Sequence, residues 1–222
     1  MANKVKILAF DTSSIACSVA LQMGDDIQGI DKIVPMNQAK FILPIIKELL
    51  EMFSLTLYQL DAIAFGNGPG SFTGIRISSG VAQGLGLATG LPLIPVSSLA
   101  ALAQTAYLDK QWEKLLVAVD AKTGQVYFAS YQVNSHACVE LIGKEEVSVL
   151  EKISLPLESG WYGVGDGWLT YDKTLLSTSK LRLTAINSSL YASARAILKQ
   201  AEIKFNQGDW IEASQANPSY LR

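Results

Sequence analysis

Short apolar runs and longer segments with helical periodicity alternate along the first hundred residues. The runs at 5–10 and 61–66 contain almost no polar residue, which predicts strands buried on both faces. In 38–53, apolar residues recur every three or four positions, as on one face of a helix, and 71–89 also reads as a helix. Further strands are predicted at 16–23, 29–34 and 91–96. The predicted order is three strands, a helix, a strand, a helix and a strand.

Pro44 interrupts the first predicted helix. A proline inside a helix removes a backbone hydrogen bond, but the first turn tolerates it. The regular part of this helix is therefore expected to begin near residue 43.

The second half of the chain repeats the beginning of the first half. Residues 5–22 read VKILAFDTSSIACSVALQ and residues 115–132 read LLVAVDAKTGQVYFASYQ. Each copy is an apolar strand, an aspartate, a small polar turn and a second strand, and internal similarity of this kind indicates duplicated units. After the second copy, the chain predicts a strand at 139–147, a strand followed by a glycine turn at 160–168, a strand at 180–185 and a helix at 189–206.

The repeat predicts an α/β protein with two lobes, residues 1–105 and residues 106–222. The boundary lies somewhere in 98–112. The terminal helix is also able to pack back on the first lobe.

The segment at 64–86, AFGNGPGSFTGIRISSGVAQGLG, contains seven glycines and no lysine. It is not a Walker A loop, because that motif needs a lysine to reach the terminal phosphates and none lies between Lys47 and Lys110. It lacks the third glycine of a dinucleotide fingerprint, where Ser71 stands, and the second glycine of a nucleophile elbow. Gly68 and Gly70 predict a sharp turn, after which Ser71 or Thr73 caps a helix whose first amides favour an anion.

The helix over 71–89 is predicted to carry three stripes. One is apolar (Ile77, Val81, Leu85), one is small (Gly80, Gly84, Ala88) and one is polar (Arg76, Ser79, Gln83). Glycine inside a helix costs about 1 kcal/mol relative to alanine. Two glycines at i, i+4 therefore predict a close neighbour, either elsewhere in this chain or in a partner.

Asp11 and Asp120 stand at the same place in the two repeats, each closing a buried strand. Such aspartates hold Mg²⁺ or water near phosphates in two-lobed nucleotide-binding folds, and they also cap ordinary turns. Thr12 and Ser13 continue the first turn, and Gly165 in GVGDGW could approach a nucleotide or form a tight turn.

Composition removes several function classes. The 222 residues are 49% hydrophobic and 17% charged, with a net charge of −2, so the chain has no basic footprint for gripping nucleic acid unaided. A single histidine, His136, and two distant cysteines exclude a histidine-rich metal site within one chain. No long apolar window or signal peptide is evident, so a cytoplasmic protein without a membrane span is expected.

Several of these segments closely resemble the TsaB (YeaZ) family of the actin/Hsp70/sugar-kinase-like superfamily. They are ILAFDTSSIACSVAL, GNGPGSFTGIRISSGVAQGLG, VAVDAKTGQVYFASYQ, GVGDGW and the terminal PSYLR. The resemblance implies two duplicated lobes, each with a mixed central sheet and flanking helices. It also implies a non-catalytic partner of TsaD in forming N6-threonylcarbamoyladenosine (t6A) beside the anticodon of tRNAs that read codons beginning with A.

The resemblance also implies the site and the partners. TsaD would be bound through the helices over 38–53 and 71–89; the ATPase TsaE would join the pair, tRNA would be bound indirectly, and the chain alone would form a homodimer. No metal and no cofactor of its own is expected, with ATP or ADP possible in the partner complex. Interface candidates are Ile42, Ile46, Leu49, Arg76, Gly80, Gly84 and Ala88. Candidates for vestigial phosphate turns are Asp11, Thr12, Ser13, Gly68, Gly70, Ser71, Asp120 and Gly165.

Two other functions remain open on the residues alone. An ATP-dependent small-molecule kinase of this fold would show a glycine-rich turn after the first strand, where this chain has DTSS. A metallopeptidase would need a metal site, and the segment MNQAKFILP at 36–44 contains no histidine.

Overall fold

A computed structural model describes residues 4–149, 152–153, 156, 158–170 and 183–221. The strands are β1 (Lys6–Asp11), β2 (Ala16–Met23), β3 (Asp26–Ile33), β4 (Ala62–Gly66), β5 (Leu93–Val96), β6 (Lys114–Lys122), β7 (Gln125–Val133), β8 (Val139–Val149), β9 (Tyr162–Val164) and β10 (Ala185–Asn187). The helices are α1 (Gln38–Met52), α2 (Phe72–Thr89), α3 (Ser98–Lys110) and α4 (Ala194–Gln207), with 3₁₀ turns at Leu57–Gln59 and Ala213–Gln215. Among the described helices, none combines the length and hydropathy that crossing a bilayer requires.

The strands form two five-stranded mixed sheets with the same connectivity. The first has the order β3-β2-β1-β4-β5 and the second, in the corresponding direction, β8-β7-β6-β9-β10. In each, the first strand pairs antiparallel with the second and parallel with the fourth. The duplication read from 5–22 and 115–132 is confirmed, and with it the prediction of two α/β lobes, each with a mixed sheet.

The chain divides into two compact units. Unit 1 contains residues 1–101 and 192–219, and unit 2 contains 102–191 and 220–222. The last helix, α4, therefore belongs with unit 1 and not with the second half of the sequence in which it lies. It packs on β1, β2, β4 and β5.

Both faces of the first sheet are covered, which explains the continuous apolar runs of its strands. Leu8 and Phe10 of β1 share a core cluster with Ile45 and Leu49 of α1. The opposite face is lined by alanines at paired positions (Ala20, Ala9 and Ala64), which lets α4 approach the sheet closely. Ser18 on the same face accepts a hydrogen bond from the Ala194 amide at 2.7 Å, which fixes the start of α4.

Several predicted element bounds need correction. Regular α1 begins at residue 38 and not near 43, and Pro44 lies within it. Pro44 has no amide hydrogen to donate to the Lys40 carbonyl. Both residues are exposed, so this carbonyl lies on the solvent side of the helix. Half of the strand predicted at 180–185 lies outside the described residues, and the last described strand is Ala185–Asn187. The last helix begins at 194 and not at 189.

The sequence reading missed α3 altogether. The first half of this helix is buried on nearly every side. A helix without a polar face has no 3.6-residue alternation, so the periodicity test has nothing to detect. The region read as a domain boundary is this helix, and the division between the two units falls inside it.

Candidate functional site

Asp11 at the end of β1 is fully buried and bonded to two different segments. Its Oδ1 accepts hydrogen bonds from the Ser13 amide and the Ser13 hydroxyl, both at 2.7 Å. Its Oδ2 accepts one from the Ser98 hydroxyl at 2.8 Å. Burial raises the pKa of the Asp11 carboxyl, and the hydrogen bonds from Ser13 and Ser98 oppose that shift without cancelling it.

The β1–β2 turn is bound directly to the beginning of α2. Thr12 Oγ1 donates to the Gly74 carbonyl at 2.7 Å, and the Ser71 amide donates to the Ser13 carbonyl at 2.7 Å. Ser71 also caps the helix, since its hydroxyl oxygen accepts from the Gly74 amide at 3.4 Å. The Thr12 hydroxyl and the Ser71 and Gly74 amides at this helix start therefore bond to the protein itself.

The glycines of this region make that contact possible. A Cβ at Gly66 would lie 1.8 Å from Asp11 Oδ2, and one at Gly74 would lie 1.9 Å from the Thr12 carbonyl oxygen. At Gly70 it would lie 2.6 Å from the Ser13 carbonyl oxygen. These three glycines are explained by two turns packed against each other.

Gly68 has a positive φ of 103° and precedes Pro69 through a cis peptide bond. Its carbonyl accepts from the Ser98 amide at 2.8 Å, and the neighbouring Asn67 carbonyl accepts from the Ser219 amide at 2.7 Å. The six residues predicted as a first phosphate turn (Asp11, Thr12, Ser13, Gly68, Gly70 and Ser71) thus lie together in unit 1. Their descent from a phosphate-binding site stays a prediction.

The equivalent place in unit 2 is a second turn cluster. The Asp120 amide donates to Asp166 Oδ1 at 3.0 Å. Asp120 Oδ1 accepts from the Lys122 amide at 2.8 Å, and its Oδ2 pairs with Lys122 Nζ at 2.7 Å. A Cβ at Gly165 would lie 2.4 Å from the Ala118 carbonyl oxygen, so this glycine allows the second turn to approach β6.

Sequence reasoning singled out Asp120 and Gly165 but not Asp166, although Asp166 stands inside the quoted GVGDGW. In the sequence, the position of Asp166 between Gly165 and Gly167 was the signal that could have identified it. Within the described ranges, no three His, Cys, Asp or Glu side chains come together as a metal site. His136, the single histidine, lies in an exposed turn.

Helix α2 has small residues on two opposite sides. Its buried side consists of Gly74, Ile75, Ser78, Ser79, Ala82 and Gly86. The prediction that Ser79 belongs to the polar stripe is wrong: it is 2% exposed, because it faces the sheet. The opposite side, here called the open α2 face, consists of Phe72, Arg76, Gly80, Gly84, Leu87 and Ala88, all exposed.

Gly80 and Gly84 lie in the middle of the open α2 face. A Cβ at either position would meet no heavy atom of the described chain within 4 Å. The sequence predicted a close neighbour of these glycines, either in this chain or in a partner. A neighbour in this chain is excluded for the described residues. Phe72 is 60% and Leu87 69% exposed at the two ends of the face, and the Arg76 guanidinium carbon lies 3.5 Å from the centre of the Phe72 ring.

Three of the seven interface candidates cannot be contact residues in this fold. Ile42, Ile46 and Leu49 are at most 3% exposed and belong to the core of unit 1. The apolar stripe of an amphipathic helix packs on its own sheet first, so the stripe that is visible in the sequence is the wrong side for a partner. The outward side of α1 instead presents Leu43 and Met52, which are 53% and 58% exposed.

Comparison with known proteins places this geometry in a family. A family model described as "TsaD: tRNA N6-adenosine threonylcarbamoyltransferase" matches residues 32–168. A Haemophilus influenzae protein named tRNA threonylcarbamoyladenosine biosynthesis protein TsaB is 36% identical over 99% of this chain and 94% of that protein. The chain belongs to the TsaB family.

Two further relatives agree with this assignment. The Escherichia coli TsaB protein is 34% identical over 98% of this chain and 95% of its own length. The solved structure of YeaZ from Pseudomonas aeruginosa has a TM-score of 0.92 and 38% identity, covering 98% of this chain and all of that one. The TsaB fold therefore extends over nearly the whole chain.

Replacing Gly74 and Gly80 with alanine should have opposite effects on stability. Gly74→Ala should lower the free energy of unfolding by about 1–3 kcal/mol or more, because the new methyl group collides with the Thr12 backbone. Gly80→Ala, on the same helix, should raise it by about 0.5–1 kcal/mol, since the methyl group enters open space. Urea unfolding followed by circular dichroism measures both. Equal effects of the two substitutions would contradict the packing described for α2.

The buried Asp11 carboxyl should give unit 1 a pH-dependent stability. Its pKa is raised above the ordinary 3.8, so its contribution is fully present below that pH and is lost as the pH rises through the folded-state value. Asp11→Asn cannot ionise. Its stability relative to the wild type should therefore improve as the pH rises above about 4.

Urea unfolding midpoints across this range test the sign. Asp25→Asn, which removes an exposed carboxylate of unit 1, controls for the change in net charge. If Asp11→Asn instead became less stable relative to the wild type as the pH rises, burial would not be the dominant influence on the pKa of Asp11.

Proposed function

We propose that this chain is a non-catalytic subunit of the complex that forms t6A in tRNA, where it acts as the partner of TsaD. The role in t6A biosynthesis rests on the relatives named TsaB, which match the chain over nearly its full length. The observation that carries the non-catalytic part is the turn cluster of unit 1. Both Asp11 oxygens, the Thr12 hydroxyl and the Ser71 amide are bonded within the chain, so these polar groups of the turn are already engaged by the protein itself.

The open α2 face is the surface we assign to the partner. Each helical glycine costs about 1 kcal/mol relative to alanine, and Gly80 and Gly84 have no neighbour in the described chain that requires them. A helix of a partner could approach this flat strip closely, with Phe72 and Leu87 burying apolar area on either side. The exposed residues of α1, Leu43 and Met52, extend the contact. Ile42, Ile46 and Leu49 support it from the core.

The same surface defines the order of assembly that we propose. The chain binds TsaD through α1 and α2 and pairs with a second copy of itself when TsaD is absent. TsaE joins the TsaD-bound form. With a net charge of −2, the chain contributes little of the positive charge that tRNA requires, so tRNA is bound by the assembled complex in the cytoplasm.

Nucleotide binding is likewise assigned to the assembled complex and not to this chain alone. The chain alone needs no cofactor, and ATP or ADP is bound in the complex. The kinase alternative is not favoured, because the first turn is closed by contact with α2. The metallopeptidase alternative is not favoured either, since the sequence contains only one histidine.

Reconstitution tests the proposed function. Purified TsaD, TsaE, tRNA and threonylcarbamoyl-adenylate should yield t6A-modified tRNA, measured by mass spectrometry of nucleosides, only when this chain is added. The chain by itself should show no ATP turnover above a buffer blank. Robust ATP hydrolysis by the isolated chain, or full modification without it, would overturn the proposal.

Gly84→Glu tests the interface. The variant should fold, because its side chain points into open space, but it should weaken binding to TsaD at least tenfold by placing a charge on the flat strip. Isothermal titration calorimetry gives the affinity and light scattering the self-association. Gly84→Ala should lose much less affinity for TsaD, and Gln207→Glu, at the exposed end of α4, should lose no affinity. Wild-type affinity and self-association in a folded Gly84→Glu chain would remove α2 from the interface.

A further inference from the structure

Unit 2 contains a cavity away from both turn clusters. It has a volume of about 310 Å³ and lies where the chain leaves α3 and enters β6, beside the start of β9. Its lining residues are Gln111, Glu113, Lys114, Ser159, Gly160 and Tyr162. None of the residues considered above for catalysis or partner binding contributes to it.

One wall of this cavity is aromatic. Tyr162 stacks on Trp112 with ring centres 4.4 Å apart and an angle of 14° between the planes. Stacking on Trp112 holds the Tyr162 ring in a defined orientation. Electron-rich rings of this kind attract cations to their faces.

The charges around the cavity leave an excess of one negative charge. Lys114 Nζ pairs with the Glu158 carboxylate at 3.1 Å, and Lys110 pairs with Asp109 at 3.0 Å on the adjacent helix end. No cation of the described chain pairs with the remaining carboxylate, Glu113. Gln111 donates its amide nitrogen to the Tyr107 carbonyl at 3.0 Å, which leaves the side-chain oxygen as an acceptor.

We propose that this cavity binds the guanidinium group of an arginine side chain presented by a partner protein. A guanidinium donates two parallel hydrogen bonds to a carboxylate such as Glu113 and also stacks on an aromatic ring such as Tyr162. An ammonium group has no planar face for the second contact. The cavity thus provides the Glu113 carboxylate to pair with the guanidinium charge and the Tyr162 ring to stack on the guanidinium plane.

The shallowness of the cavity identifies the source of the arginine. Gln111, Glu113, Ser159 and Gly160 are all exposed. Sites for free small molecules usually bury most of the ligand surface. A site with exposed walls instead suits one side chain on a larger surface, whose other contacts supply the remaining affinity.

Titration with N-acetyl-arginine amide tests this assignment on the intact chain. NMR signals of the Trp112 indole and the Tyr162 ring should shift in a saturable manner, and N-acetyl-citrulline amide, the uncharged analogue, should bind at least tenfold more weakly. Glu113→Gln should weaken binding of N-acetyl-arginine amide by about threefold to fivefold, as expected for the loss of one exposed charge pair. Glu140→Gln, which removes the same charge outside the cavity and keeps an oxygen for Asn134, should bind like the wild type.

Three results would overturn the proposal. The first is equal binding of the citrulline and arginine probes, and the second is unchanged binding by a folded Glu113→Gln chain. The third is binding of free agmatine more than tenfold tighter than N-acetyl-arginine amide, because that would assign the cavity to a small cation and not to a protein partner.

Discussion

The contact between the β1–β2 turn and the beginning of α2 determines how unit 1 is built. It brings two backbone segments so close that Gly66, Gly70 and Gly74 have no space for a side chain. It also buries the Asp11 carboxylate, which is stabilised by the Ser13 and Ser98 donors against the desolvation that raises its pKa. A carboxylate so enclosed acts as a structural bond between the end of β1 and the start of α3.

This contact also fixes the orientation of α2. With Gly74 held against Thr12 and Gly86 packed against Leu93, one side of the helix faces the sheet along its length. The opposite side is then turned to solvent, and it carries Gly80 and Gly84. Small residues thus occur on both sides, but only those on the buried side are explained by contact with the first turn and the sheet, since those on the open side meet no neighbour in the described chain.

Unit 2 repeats the topology but not the chemistry of unit 1. Asp120 corresponds to Asp11, yet its carboxylate pairs with the exposed Lys122. Its amide binds Asp166 from a different turn. The duplicated sheets have therefore kept their strand order while the two turns have acquired different partners. The cavity beside Trp112 and Tyr162 belongs to unit 2 alone.

The sequence by itself determined the strand runs, the duplication, the family and the glycine positions. The strand runs follow from periodicity and local residue type, the duplication from comparing two segments of the chain, and the family from the resemblance of whole motifs. It did not determine α3, because a helix buried all round lacks an amphipathic pattern. It also did not determine which face of α1 is available to a partner: Ile42, Ile46 and Leu49 look like a contact stripe until the sheet that covers them is known. Only the tertiary structure decided that Gly74 is enclosed and Gly80 is open, since distance to a neighbour far along the chain separates two otherwise identical residues.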